Sequence, residues 1–167
     1  MILIAIGANL TAANGSTPHE TCCAAVPLLC EIPGLSFVAL SNWYRTVPQP
    51  RADQPDYCNG AIRFFGDIDP EELLHRLQAI EAHFGRERAE VNAARTLDLD
   101  IIDINGIIRA TPPPILPHPR AHLRSFVLRP ILDVAPGWRH PTLRQNVSTL
   151  LAELPPQGIQ PWQEELA

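Results

Sequence analysis

The sequence predicts an α+β fold, a ferredoxin-like βαββαβ sandwich with helices packed on a mainly antiparallel sheet, plus a hairpin strand and C-terminal helices. Two observations carry this prediction. Segments with the two-residue period of strands alternate with helix-like segments, and the second and third strands follow each other without an intervening helix. A strand pair enclosed between two helical crossovers is typical of ferredoxin-like domains. We expect one domain over residues 1–167, with a weakly ordered tail at 156–167.

The strands are predicted from short apolar runs bounded by turn residues. The predicted strands cover residues 2–7, 35–45, 57–65 and 95–103. Asn105-Gly106 favours a tight hairpin turn, which predicts an additional strand over residues 107–109.

The two longer helices begin with capping signatures. Thr17 and Asp69 are each followed by Pro at the next position and by Glu at the third. The helices that start there are expected to end near Cys30 and at Gly85, since glycine often terminates a helix. Two shorter helices are predicted at residues 124–134 and 146–154.

Composition narrows the class of protein. Of the 167 residues, 46% are apolar and 19% charged, which is ordinary for a globular protein. The net charge of -5 argues against general nucleic-acid binding. We find no stretch suited to crossing a membrane and no signal peptide, and the four cysteines lack the spacing of a metal site. We therefore expect a cytoplasmic protein that binds neither membranes nor nucleic acid.

Lysine is absent, and all 13 basic residues are arginines. This excludes a P-loop, which ends in Gly-Lys-Ser/Thr, and any chemistry that needs a Schiff-base lysine. If the protein handles phosphate, arginine side chains and a metal ion must supply the positive charge.

Two carboxylates share one face of the fourth predicted strand. Alternation places Asp98 and Asp100 on one face and Leu97, Leu99 and Ile101 on the other. Residues two apart on a strand are about 6.6 Å apart at the backbone, so two Asp side chains can converge on a hard cation. The alternative is that these residues only keep an edge strand soluble.

Several cationic and histidine side chains flank this strand. Arg86, Arg88 and Arg95 surround an irregular loop, as a polyphosphate site beside metal-binding carboxylates would require. A solvated basic loop is the alternative. Oxygen ligands favour Mg²⁺ over Zn²⁺, so we assign the histidines after the proline-rich segment no metal. The residues there that are able to pair with phosphate or a nucleobase are His118, Arg120, His122 and Arg124.

A second group of residues suits a flat ring. Tyr57 and Asn59 alternate onto one strand face, and Phe126 follows the proline-rich segment. Two aromatic side chains can sandwich a ring, while an Asn amide reads donors and acceptors on its edge. The alternative is that all three belong to the core. Gln78 and Glu81 lie beside the apolar stripe of the second helix, where a solvated or ion-paired role is the simplest interpretation.

These motifs, in this order, resemble the 6-hydroxymethyl-7,8-dihydropterin pyrophosphokinase family over roughly residues 1–136. The matching segments are Gly7-Ala-Asn-Leu10, Tyr44-Arg-Thr46, Gln54-Pro-Asp-Tyr-Cys-Asn59, Glu81 with Gly85-Arg-Glu-Arg88, Arg95-Thr-Leu-Asp-Leu-Asp100 and Pro117-His-Pro-Arg120. The resemblance implies the ferredoxin-like fold and a kinase of folate biosynthesis, and we expect a monomer. Such enzymes transfer the β,γ-diphosphate of ATP to the hydroxymethyl group of the pterin, which releases AMP.

The resemblance also implies roles for individual residues. Asp98 and Asp100 would bind two Mg²⁺ ions, and Arg86 and Arg95 would stabilise the transferring phosphates. The residues implied at the ATP site are Gln78, Glu81, Arg88, Ile101, His118, Pro119 and Arg124. Those implied at the pterin site are Thr46, Val47, Tyr57, Asn59 and Phe126.

The chain departs from the family pattern at a few positions. Asn92-Ala-Ala94 stands where family members often carry Trp-Gly-Pro, and Gly60 stands where Ala is usual. We expect the 86–94 loop to close on bound substrates as a looser lid than in relatives with the Trp. Two other functions remain possible from the residues alone. One is a different metal-dependent phosphotransferase or nucleotidyltransferase, and the other is a non-catalytic module that binds a small molecule.

Overall fold

The computed structural model describes residues 1–47, 55–85 and 96–163. Its strands are β1 (Ile2–Ala8), β2 (Leu35–Leu40), β3 (Tyr44–Thr46), β4 (Tyr57–Gly66), β5 (Asp98–Ile104) and β6 (Ile159–Pro161). Its α-helices are α1 (Pro18–Cys30), α2 (Pro70–His83), α3 (Ser125–Val134) and α4 (Val147–Glu153). A short 3₁₀ helix at Ala121–Leu123 precedes α3.

The strands form an antiparallel sheet in the order β5-β1-β4-β3-β6, and β2 pairs with β4 next to β3. Strands β2 and β3 therefore act as one interrupted strand beside β4. Counted as one, they give the ferredoxin-like order, so the predicted fold class is confirmed.

The predicted long strand at residues 35–45 is broken between β2 and β3. At the break, the Ser41 N–H donates to the Ala61 carbonyl at 2.9 Å, and the Ser41 hydroxyl accepts the Ala61 N–H at 2.8 Å. The Ser41 side chain thus replaces a backbone carbonyl as the acceptor in the hydrogen-bond ladder with β4. The Trp43 ring then lies across Gly60, where an added Cβ would meet the ring at 2.5 Å. Gly60 is therefore required by the close approach of Trp43.

Both long helices begin at the predicted caps. The Thr17 side chain accepts the Glu20 N–H and the Glu20 carboxylate accepts the Thr17 N–H, which completes a capping box. The Asp69 carboxylate accepts the Glu72 N–H in the same way. Among the described residues, the helices are too short or too polar to cross a bilayer.

Two apolar cores lie on opposite faces of the sheet. Helices α1 and α2 cover one face, where Ile4 and Ile6 of β1 meet Leu77 of α2. Helices α3 and α4 cover part of the other face, where Leu3 of β1 meets Leu128 of α3. The rest of this second face, toward the Gly7 end of β1, carries polar residues.

The predicted hairpin strand at residues 107–109 is wrong. The Asn105-Gly106 turn does form, with φ of 51° and 74°, and the Ile107 N–H donates to the Ile104 carbonyl. Beyond the turn, only a single bridge joins Arg109 to Leu116. The proline-rich segment lies against β5 instead, because the His118 N–H donates to the Ile102 carbonyl at 3.0 Å.

The expected weakly ordered tail contains a strand. Ile159–Pro161 pairs with β3 in antiparallel register, and the Trp162 N–H donates to the Trp43 carbonyl at 2.9 Å. The Arg45 guanidinium lies 4.2 Å above the Trp162 ring. These contacts depend on residues far apart in sequence, which is why a local pattern does not predict them. Residues 164–167 lie outside the described part of the chain.

Candidate active site

Strand register brings the two predicted groups of residues onto one face. Gly7 of β1 pairs with Asp98 of β5 on one side and with Asn59 of β4 on the other. Directly paired residues project to the same face, so Asp98 and Asn59 flank Gly7. Because a Cβ on Gly7 would meet the Asn59 Oδ1 at 2.9 Å, glycine leaves the floor between them open. The sheet thus places a carboxylate and an amide on either side of a gap.

Asp98 and Asp100 lie on the predicted face of β5. Their neighbours Leu99 and Ile101 are both 5% exposed and belong to the core on the α1 and α2 side. The Asp100 side chain is 33% exposed. The two-residue alternation predicted from the sequence is therefore confirmed, and the carboxylates remain accessible to a ligand from solvent. Because the Ile101 side chain is packed in the core, the nucleotide predicted to contact Ile101 could reach only its backbone.

His118 lies next to this pair of carboxylates. Its Nε2 is 4.0 Å from Asp100 Oδ2, and its Nδ1 accepts the Arg120 N–H at 3.1 Å. Burial, together with the Arg124 and Arg120 charges, lowers the pKa of His118 to about 4 against the opposing effect of Asp98. A neutral ring with Nδ1 as acceptor carries its proton on Nε2, which faces Asp100.

Glu81 supports the carboxylate strand from its outer edge. The Glu81 side chain is 3% exposed, and its Oε2 accepts the Leu99 N–H at 2.9 Å. Leu99 lies between Asp98 and Asp100, so this bond fixes the backbone that carries both carboxylates. Glu81 thus has a structural role that the sequence does not reveal, and Gln78, one turn earlier on α2, is exposed. Their contact with a nucleotide stays a prediction.

Thr46 and Asn59 are held together at the other side of the gap. The Asn59 amide donates to the Thr46 hydroxyl at 2.6 Å, and the two residues are 6% and 3% exposed respectively. Tyr57 pairs with Thr46 across the same face, and both Tyr57 and Val47 are half-buried. The fixed amide leaves its carbonyl oxygen on the side of Gly7, where it can accept a hydrogen bond from a ring edge.

Phe126 and Arg124 lie at the start of α3, above this face. The Arg124 guanidinium is 5.5 Å from the centre of the Phe126 ring, and both side chains are half-buried. Pro119 is exposed on the preceding segment. The cation and the aromatic ring predicted at the nucleotide and pterin sites are therefore neighbours, with one residue, Ser125, between them.

Three predicted residues lie outside the described part of the chain. These are Arg86, Arg88 and Arg95, and the predicted lid at residues 86–94 falls there as well. Their roles stay predictions.

The donor chemistry of Asp98 and Asp100 fits Mg²⁺. Where the structure describes the chain, no three His, Cys, Asp or Glu side chains converge as a complete metal cage. Mg²⁺ is commonly held by one or two carboxylates, with phosphate oxygens and waters completing its octahedron. Two carboxylates on one strand face therefore suit a metal that arrives with a polyphosphate.

Comparisons with known proteins identify the family. A family model described as 7,8-dihydro-6-hydroxymethylpterin-pyrophosphokinase (HPPK) matches residues 3–136. The chain belongs to this family. It is similar to the 2-amino-4-hydroxy-6-hydroxymethyldihydropteridine pyrophosphokinase of Pseudomonas aeruginosa, with 36% identity over 95% of this chain and 94% of that protein. The protein of the same name from Haemophilus influenzae is 35% identical, with 79% of each chain covered.

The fold of this HPPK family member is also found in solved structures. The wild-type Plasmodium falciparum HPPK-DHPS structure with pteroate superimposes with a TM-score of 0.69 at 12% identity. The match covers 91% of this chain and 42% of that chain, so this protein spans less than half the length of that relative. At this identity the likeness shows the fold alone.

Two residues at this candidate site carry a structural role that the sequence predictions did not assign. Gly7 keeps the gap beside Asn59 open, and Asn9 is fully buried with its amide donating to the Pro55 carbonyl at 3.4 Å. That bond holds the chain just before Tyr57. The signal was the Gly-Ala-Asn motif at the end of β1, since a buried polar residue directly after a strand usually serves backbone hydrogen bonds.

Proposed function

We propose that this protein transfers the β,γ-diphosphate of ATP to the hydroxymethyl group of 6-hydroxymethyl-7,8-dihydropterin. The pterin hydroxyl oxygen attacks the β phosphorus, the bond from that phosphorus to the α,β-bridging oxygen breaks, and AMP leaves as the hydroxyl loses its proton. The observation that carries the proposal is the placement of Asp98 and Asn59 on either side of Gly7. The carboxylates on β5 would hold the metal and the phosphates, and the Asn59 amide on β4 would contact the ring edge. Strand β1 lies between the two groups.

The carboxylates of Asp98 and Asp100 would hold two Mg²⁺ ions between ATP and the pterin. Bound Mg²⁺ polarises the phosphoryl oxygens and neutralises negative charge that develops during transfer. Asp98 and Asp100 would position these ions, and Glu81 fixes their strand through the Leu99 N–H. We assign Arg86 and Arg95 to the transferring phosphates, because guanidinium groups hold phosphate oxygens bidentately.

The remaining predicted residues divide between the two substrates. His118 offers an Nε2–H beside Asp100, which suits a phosphate oxygen of ATP. The other residues assigned to ATP are Gln78, Glu81, Arg88, Ile101, Pro119 and Arg124. Tyr57 and Phe126 would flank the pterin ring, while Asn59, Thr46 and Val47 would contact its edge.

We also infer a cytoplasmic, monomeric enzyme. All four cysteines are free thiols, which suits a reducing compartment. Analytical ultracentrifugation of the purified protein tests the oligomeric state, and a dimer at micromolar concentration would contradict the monomer.

The nucleotide product tests the proposed reaction. The protein is incubated with hydroxymethyl-dihydropterin, ATP and Mg²⁺, and the products are separated by ion-exchange chromatography. We expect AMP and pterin diphosphate in equal amounts. ADP would indicate an ordinary kinase, pyrophosphate with a nucleotidylated pterin would indicate a nucleotidyltransferase, and no turnover would favour a binding module.

A further inference from the structure

The C-terminal segment, residues 156–162, lies against both walls of the proposed pterin site. The family match ends at residue 136, so this segment is outside the matched domain. One end of the segment contacts the start of α3, and the other end extends the sheet beside β3. The two walls that it touches carry Phe126 and Thr46 respectively.

Gln157 holds the first wall through three hydrogen bonds. Its side-chain Oε1 accepts both the Ser125 N–H, at 2.8 Å, and the Ser125 hydroxyl, at 2.7 Å. Its Nε2 donates to the Leu123 carbonyl at 3.3 Å. The first turn of a helix has backbone N–H groups without intrahelical partners, and Ser125 begins α3 without a side-chain cap from Arg124. Gln157 therefore acts as a cap supplied from 32 residues away.

The capped residue separates two groups of the proposed site. Arg124 precedes Ser125 and Phe126 follows it, and the guanidinium lies 5.5 Å from the ring centre. Rotation or fraying of this first turn would move both side chains. The three hydrogen bonds of Gln157 are therefore placed to hold the first turn of α3, from which the Phe126 side chain extends.

Strand β6 holds the second wall. Ile159 pairs directly with Thr46, and Gln160 pairs with Arg45. Directly paired residues share a face, so the Ile159 side chain extends the row formed by Tyr57 and Thr46. Gly158 lies against Val47, since a Cβ added there would be 3.7 Å from the Val47 methyl. Without β6, strand β3 would be a three-residue edge strand.

We propose that Gln157 is a positioning residue for pterin binding, and that the C-terminal segment fixes the distance between the Phe126 wall and the Thr46 wall. The inference rests on the proposed function, because it concerns the pterin end of that same site. Gln157 acts through Phe126 and needs no contact with the substrate itself.

The test measures the binding of pterin and of a non-hydrolysable ATP analogue to separate variants. Gln157→Ala removes all three hydrogen bonds, whereas Gln157→Glu keeps the acceptor for Ser125 and loses the donor to Leu123. We expect Gln157→Ala to raise the pterin Kd by about fivefold or more and the nucleotide Kd by a clearly smaller factor, because the capped turn also carries Arg124, which is assigned to ATP. Gln157→Glu should have a smaller effect on the pterin Kd.

The same chain supplies a matched control and a test of the route. Gln160→Ala alters an exposed glutamine of the same segment and should leave both Kd values unchanged. In a Phe126→Ala background, adding Gln157→Ala should change the pterin Kd by less than about twofold, because the positioned ring is already gone. A full effect in that background would overturn the inference, as would equal losses for both ligands.

Failure of the inference differs from failure of the proposed function. If the wild-type protein binds the pterin and releases AMP but Gln157→Ala behaves like Gln160→Ala, only the positioning role is wrong. If the wild-type protein does not bind the pterin at all, the proposed function fails and the inference fails with it.

Discussion

The two ends of the proposed site differ in how tightly their polar groups are held. At the ring end, the Asn59 amide and the Thr46 hydroxyl form a 2.6 Å hydrogen bond between residues that are 6% and 3% exposed. At the carboxylate end, the Asp100 side chain is 33% exposed and lies 4.0 Å from His118. One end is already arranged for a neutral ring, whereas the other leaves carboxylates open to solvent.

The difference follows from the charge of the groups. A buried amide costs little once its hydrogen bonds are satisfied, so the ring end can be built before substrate arrives. Two carboxylates on one strand face repel each other, and a bound cation relieves that repulsion. The carboxylate end therefore gains its final geometry only with metal and phosphate, and changes to the two ends should affect different ligands.

The largest effect is expected at the carboxylates. Asp98→Asn or Asp100→Asn keeps the side-chain size and removes one charge, so kcat/KM should fall by about 100-fold or more, measured at low Mg²⁺. The apo protein should be as stable as wild type or slightly more stable, because repulsion is relieved. Asp67→Asn, an exposed carboxylate elsewhere, is the control and should retain full activity. Near-normal activity in both site variants would mean that Asp98 and Asp100 are only surface charges and do not bind a catalytic metal ion.

The stability of β4 next to Asn59 should depend on how Trp43 packs against Gly60. Gly60→Ala would place a Cβ 2.5 Å from the Trp43 ring, so unfolding free energy should fall by about 1–3 kcal/mol in urea denaturation. Gly137→Ala is the matched control, because nothing lies within 4 Å of its added Cβ. Equal stability of the two variants would show that Trp43 moves aside without cost.

Acid should weaken the apo fold through His118. Its folded pKa of about 4 lies below the unfolded value near 6.5, so the unfolded state binds the proton more readily. The stabilisation is complete above about pH 6.5 and is lost as pH falls toward 4, with about 1 kcal/mol gone by pH 5.5.

The His118 effect is measured as the difference between wild type and His118→Asn in urea unfolding at several pH values. The difference is needed because burial also lowers the pKa of His140. That histidine makes the unfolding free energy depend on pH in the same direction in both proteins. The Asn side chain can still accept the Arg120 N–H. Parallel pH profiles for the two proteins would exclude His118 as the source.

A smaller effect is expected for the ring-stacking residue. Tyr57→Ala should weaken pterin binding by about 0.5–1.5 kcal/mol beyond the loss of buried area and leave nucleotide binding nearly unchanged. Fluorescence titration of pterin and calorimetric titration of an ATP analogue separate the two. An equal loss for both ligands would mean that Tyr57 supports the core and makes no specific contact with the ring.

Local sequence patterns predicted the two faces of the strand that carries Asp98 and Asp100, and the start of each long helix. Alternation in 97–101 separated Asp98 and Asp100 from the core, and the Thr17 and Asp69 caps formed as expected. Such features depend on residues within a few positions of each other, so the sequence alone is sufficient. The resemblance to a known family added expected roles for residues that no local pattern distinguishes.

Long-range contacts account for what the sequence did not show. Glu81 meets Leu99 across 18 positions, and Gln157 meets Ser125 across 32. Neither glutamate nor glutamine in a helix or a tail has a local signature for a buried backbone contact. The break between β2 and β3 likewise involves long-range contacts, the Ser41–Ala61 hydrogen bonds and the approach of Trp43 to Gly60. The pairing of β6 depends on an edge that only the folded sheet provides.

Calorimetric titration of α,β-methylene-ATP with and without Mg²⁺ tests most directly whether the two ends are separate. In the wild-type protein and in Asn59→Ala, we predict tight nucleotide binding that requires Mg²⁺. In Asp98→Asn, the Mg²⁺-dependent part of the affinity should be lost. Equal affinity with and without Mg²⁺ in the wild-type protein, or equal loss in Asn59→Ala and Asp98→Asn, would contradict a metal-held nucleotide at the carboxylates and a separate ring site beside them.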